Sequence, residues 1–197
     1  MQQRAAGLSL YQAVLLEIKT INDICNAIGR TPLFKNDFND DRRPPAFGYL
    51  LRPTSHEYTE FVHLLDKMLS ENIDRDFFNN EVPFESEETR NDGKIVVNQK
   101  NSIHILSDWL HDQFQTDDWS EIEEMLQTFR NVRKLRQPQA HAIKENEYDP
   151  QYAREQQELM KKVYRAVKIL RVTIAFYPLA SNVIIDKQLD EGLIWLL

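Results

Sequence analysis

The stretch from Asp149 to Tyr177, DPQYAREQQELMKKVYRAVKILRVTIAFY, decides the fold class. Asp149 offers a side-chain oxygen to the unpaired N–H groups of a first turn, and Pro150 has the fixed φ that suits the first helical position. Together they predict a helix start. At about 100° per residue, Val163, Val167, Leu170 and Ile174 share one narrow arc, while Arg154, Lys161, Arg165 and Lys168 fall on the opposite side. The expected element is a long helix to about Tyr177, apolar below and basic above.

Such a helix needs other apolar faces to cover it. Tyr11, Val14, Ile18, Ile21, Cys25 and Ile28 recur at three- and four-residue steps, and Gly29 is placed to end that helix. Thr54 and Glu57 stand in capping-box register before Tyr58, Phe61, Val62, Leu65 and Leu69. Ser102 opens a third helix with Ile103, Leu106, Trp109 and Leu110 inward. Ser120 and Glu123 open a fourth, striped by Ile122, Met125, Leu126, Phe129 and Val132.

Residues 30–53 hold four prolines and predict an ordered long loop, with Phe34, Phe38, Phe47 and Tyr49 available to bury. Residues 79–100 are polar and acidic, with an Asn91-Asp92-Gly93 turn signal and Ile95-Val96-Val97 as a strand-like run; a small hairpin and an insertion loop both fit. The tail, residues 178–197, is more apolar than a free terminus and is expected to dock on this chain or another. The expected architecture is all-α: a single domain, 1–197, folded as an antiparallel four- to five-helix bundle with long loops and room for one small β-hairpin.

A chain of 197 residues with 42% apolar content suits one core. Its single cysteine, Cys25, lies in an apolar stripe, which rules out a disulfide framework within the chain and points to a reducing, cytoplasmic setting. No run of about 18 apolar residues and no signal-peptide pattern is present, so neither a membrane span nor secretion is expected. The net charge of −7 opposes a phosphate-bearing partner until its distribution is read. Residues 125–175 carry eleven lysines and arginines against five acids, a net +6, which leaves −13 for the remainder.

Within that basic third lies Arg136-Gln137-Pro138-Gln139-Ala140-His141. Arg133 and Arg136 fall in the arc of Ile122, Met125 and Phe129, so two cations continue an apolar stripe. A buried charge without a partner is costly, and these positions should therefore face a groove, a subunit boundary or an anion. Pro138 then stops the helix. Chemically, an imidazole titrating near pH ~6.5 can take the proton from a ribose 2′-hydroxyl. A guanidinium can hold the adjacent phosphate and stabilise the charge that develops on it. Attack of the 2′-oxygen on its own phosphate would cut the chain and leave a cyclic phosphate. A two-fold copy would bring a second histidine to protonate the leaving 5′-oxygen.

The segment from Val132 to Ala142 resembles the R-x4–6-H signature of the HEPN (higher eukaryotes and prokaryotes nucleotide-binding) superfamily, closely over residues 100–178 and more loosely over the first two helices. The resemblance implies a helical bundle acting as a metal-independent endoribonuclease without cofactor, a homodimer whose two motifs share one cleft, and a role in phage defence or toxin–antitoxin systems. Arg136 and His141 would be catalytic, with Gln137 in support. Arg133, Lys134, Arg154, Lys161, Arg165 and Lys168 would guide the RNA backbone. Ile143 stands where members paired with a nucleotidyltransferase antitoxin often carry tyrosine, which argues against that partner.

Other constellations carry less. His56, Glu60 and His63 share a helical face, and Asp108-x-x-His111 could imitate half of a di-iron site, but neither lies in an apolar stripe. The acids Asp117, Asp118, Glu121, Glu123 and Glu124 begin a helix, where negative charge suits the dipole. No Gly-rich phosphate loop, zinc spacing or nucleophile elbow is present. The alternative from another class is a catalytically silent helical RNA-binding or protein-interaction module, with a protein partner on the C-terminal tail. In that reading Arg133 and Arg136 pair with Glu145, Glu147 and Asp149, and His141 caps or packs.

Overall fold

A computed structural model describes residues 7–38, 43–136 and 146–195. Strand β1 (Leu8–Ser9) runs into α1 (Leu10–Ala27), where Ser9 and Gln12 form a reciprocal capping box. Gly29, at φ +76°, takes the left-handed conformation that ends the helix, as its position predicts. Helix α2 (Ser55–Met68) is capped by Thr54 as expected, but the Glu57 carboxylate accepts from the Arg52 N–H instead of closing the box.

The hairpin is present: β2 (Glu85–Thr89) pairs antiparallel with β3 (Ile95–Gln99) around the Asn91-Asp92-Gly93 turn. Helix α3 (Ser102–Gln113) is capped by Asn101, one residue earlier than predicted, and the Ser102 hydroxyl donates instead to the Ser70 carbonyl. Helix α4 spans Ser120–Arg136, and the basic α5 spans Gln151–Ile174. Asp149 Oδ1 accepts from Gln151 N–H at 2.8 Å, but Pro150 itself is the N-cap, so α5 begins one residue later than predicted and ends three residues before Tyr177. A short α6 (Lys187–Asp190) and β4 (Ile194–Trp195) complete the described chain.

The molecule is mostly helical, with α1 and α4 packed on α5 and α2 on α4. Trp109, Phe61, Phe77, Phe78 and Phe129 are buried in the shared core, each contributing roughly 1.5–3 kcal/mol. The proline-rich loop after α1 is ordered where described: Leu33, Phe34 and Phe47 are buried. The Asn22 side chain fixes it by donating to the Phe34 carbonyl and accepting from the Phe34 N–H, at 2.8 and 2.9 Å.

Arg30 ties the far end together. Its guanidinium carbon lies 5.4, 5.3 and 5.5 Å from the ring centres of Phe77, Trp109 and Tyr177. Its Nη2 also donates to both oxygens of Glu81, which in turn accepts from Trp109 Nε1. The apolar tail docks on its own chain: β4 pairs in parallel with β1, Leu8 against Ile194 and Ser9 against Trp195, with Leu189 buried beneath.

Candidate functional site

The last turn of α4 delivers Arg136 to two acids. Its Nη1 donates to Asp66 Oδ2 at 2.8 Å and also to Glu71 Oε1. Asp66 stands in α2 four residues after Val62 and three before Leu69, inside the apolar arc, and solvent does not reach it. Glu71 follows in the turn beyond α2, where its N–H donates to the Asp66 carbonyl at 3.1 Å, setting the two carboxylates side by side. The Arg136 side chain is 31% exposed and that of Glu71 39%.

The expectation that Arg136 requires an anion is met, by carboxylates of its own chain. Their hydrogen bonds, Asp66 first and Glu71 second, raise the guanidinium above the ordinary arginine value. Two features remain open. Nε and Nη2 of Arg136 donate to no group among the described residues, and Asp66 Oδ1 is buried without a hydrogen-bond partner there. Arg133 is half-buried and Lys134 exposed, and neither makes an ion pair among the described residues.

Gln137 and His141 lie outside the described residues, as does Glu145. The remaining acids of the alternative pairing serve other ends. Glu147 contributes backbone bonds to Ser55, whose N–H donates to its carbonyl, and Asp149 caps α5.

The predicted RNA-guiding residues of α5 are not gathered in one place. Arg154 is exposed near the start of the helix. Lys161 bonds Glu158 at 2.6 Å, and Arg165 reaches across to Glu124 of α4 at 3.0 Å. Arg165 and Lys168 line a groove of about 760 Å³ between the start of α4 and the end of α5, over Phe114, Ile122, Ile169 and Phe176. At 1.5 Å per residue, Arg136 stands ~20 Å along α4 from Ile122, so this groove and the Arg136 site occupy opposite ends.

A second ion pair is deeper still. Arg171 of α5 donates from Nε to Glu17 Oε2 of α1, with both side chains buried, and Glu17 Oε1 and the nearby Tyr164 hydroxyl have no hydrogen-bond partner among the described residues. Burial outweighs the Arg171 contact and raises the Glu17 carboxyl above the usual range.

Neither Glu17 nor Asp66 was singled out from sequence, although both signals were there. Glu17 lies between Val14 and Ile21, and Arg171 between Val167 and Ile174, in the same helical registers as those apolar residues. Opposite charges embedded in two apolar stripes should meet.

Asp108, His111 and part of the acidic run are committed elsewhere. Asp108 bonds Lys100 at 2.7 Å, and His111 stacks on Trp119 with ring centres 4.1 Å apart. Glu123 pairs with Arg130, and Asp118 Oδ1 accepts from Ser120 N–H at 2.8 Å, so the acidic run serves the start of α4. Among the described residues no cluster of three or more metal-ligating side chains occurs, and no helix is long and apolar enough to cross a membrane. No protein-family model, curated protein or solved structure matches the chain.

Proposed function

We propose that the chain is a metal-independent endoribonuclease of HEPN type, a helical bundle that works as a homodimer. Arg136 holds the scissile phosphate, His141 removes the 2′-hydroxyl proton, and Gln137 supports them. The supporting observation is the way Arg136 is held. It is anchored through Nη1 alone, which leaves the Nε and Nη2 donors, the fork that suits a phosphate, without a partner among the described residues. Arg133 and Lys134 in the same last turn add positive charge, and Arg154 stands exposed at the start of α5. The likeness of residues 132–142 to the R-x4–6-H signature supplies the reaction class, and the second histidine needed as general acid comes from the second subunit.

The deciding experiment is cleavage of RNA in EDTA by wild type, His141→Ala and Arg136→Lys. Wild-type activity that both variants lose is the expected result. Activity that survives both substitutions sinks the assignment, and activity abolished by EDTA moves it to a metal site.

One observation favours a second reading. Both groups on Arg136 are carboxylates, and the cluster of Arg136, Asp66 and Glu71 carries a formal charge of −1. In that reading Arg136 neutralises a buried acid and the chain is a catalytically silent helical module that binds RNA or a protein. Absence of cleavage by wild type, with stability lost in the Arg136 variant, selects it.

A further inference from the structure

The two carboxylates on Arg136 differ in every respect that matters for a ligand. Asp66 is inside the protein, on a regular helix, with solvent excluded and no second partner for its free oxygen among the described residues. Withdrawing Arg136 from it would leave a buried charge unpaired, so this contact persists whatever else binds. Glu71 is 39% exposed and stands in the turn after α2, where water can take over its oxygens at little cost.

A phosphate arriving at the Nε and Nη2 edge therefore meets a guanidinium fixed from behind by Asp66 and flanked by the partly exposed negative charge of Glu71. Like charges a few ångströms apart repel, and near a surface the repulsion is reduced by salt. We infer that Asp66 is the positioning residue of the Arg136 site and that Glu71 is a built-in electrostatic competitor that sets how tightly a phosphodiester is held. This rests on the nuclease reading above. Asp66 acts through Arg136 by fixing the plane of its fork; Glu71 shares the same Nη1 and acts on the ligand through its charge.

The two roles separate kinetically. Glu71→Gln keeps a side chain of the same size and removes the charge. It should tighten binding of a non-cleavable 2′-deoxy oligonucleotide and lower KM for RNA by ~fivefold at low salt, with the difference fading at high salt. Asp66→Asn should lower kcat by roughly ten- to hundredfold with a smaller effect on KM, because the fork is no longer held in plane.

A structural role alone would lower the melting temperature of both variants and leave the salt dependence of binding as in wild type. Unchanged or weaker oligonucleotide binding by Glu71→Gln overturns the inference, as does a wild-type kcat in folded Asp66→Asn. If Asp66→Asn does not fold, Glu71→Gln decides alone, since its site is at the surface. Wild type that cleaves RNA while Glu71→Gln behaves identically overturns this inference and leaves the nuclease reading intact. Wild type that neither binds the oligonucleotide nor cleaves RNA overturns both.

Discussion

Arg136 Nη1 lies 2.8 Å from Asp66 Oδ2, a contact between the last turn of α4 and a residue of α2 that solvent does not reach. It joins two helices at Arg136, the last residue of α4. The pair is asymmetric, because Arg136 retains access to water and Asp66 does not. Removing the arginine is therefore the more damaging half of the exchange.

Arg136→Ala should cost about 2–4 kcal/mol of unfolding free energy, since it leaves Asp66 charged and unpaired in the interior. The double variant Asp66→Leu/Arg136→Ala should recover most of that loss. Urea unfolding of the four proteins in the cycle checks this; a double variant less stable than Arg136→Ala would show that the pair does more than neutralise itself.

The Glu17–Arg171 pair makes the same case in a drier place. Each single replacement by a neutral aliphatic should cost about 3–5 kcal/mol, and Glu17→Leu/Arg171→Met together should be close to wild type or above it. The acid also leaves a mark on pH dependence. Because burial raises its folded value above that of the unfolded chain, the native state holds more protons between ~4.3 and the raised value. The corresponding stability is complete below that window and is lost as pH rises through it. Glu17→Gln should flatten this decline in a series of melting temperatures taken upward from pH ~4.3.

Gly7 is close against Trp195. A Cβ there would collide with the indole Nε1 and lie 2.7 Å from the Leu193 carbonyl oxygen, with backbone that cannot yield as a flexible side chain would. Gly7→Ala should release β4 from β1, seen as a red shift in Trp195 emission and faster proteolysis after Leu189. Emission and cleavage unchanged from wild type would show that the tail is held by Leu189 alone.

Cys25 should be inert. It is buried in α1 and its thiol is pushed up to about 11 by burial, so the native protein holds almost no thiolate at neutral pH. A thiol reagent at pH 8 should react only as the protein unfolds, at the rate followed by circular dichroism. Rapid labelling of native protein would contradict the packing of α1.

The long helices were readable because their apolar residues repeat at the helical period, and this repeat survives without any knowledge of neighbours. Thus Val163 to Ile174 placed α5, and Tyr11 to Cys25 placed α1. What could not be read was pairing at a distance. The register of Arg136 announced a need for an anion, but Asp66 lies 70 positions away, and only the packing of α2 on α4 brings it there. The cap of α3 was missed by one residue because Asn101 and Ser102 are both good caps, and Ser102 finds a better acceptor in the Ser70 carbonyl. The wheel put Arg165 and Lys161 on a basic face correctly, yet gave no hint that Glu124 and Glu158 would answer them.

The parallel pairing of Leu8 with Ile194 joins the two ends of the described chain by a few hydrogen bonds. Closing so long a loop is entropically dear for so small a contact, so this clasp should form after the helices have assembled and open before they part. It gives the fold a reversible seam, at which the ends come free together while the core that carries Arg136 stays whole.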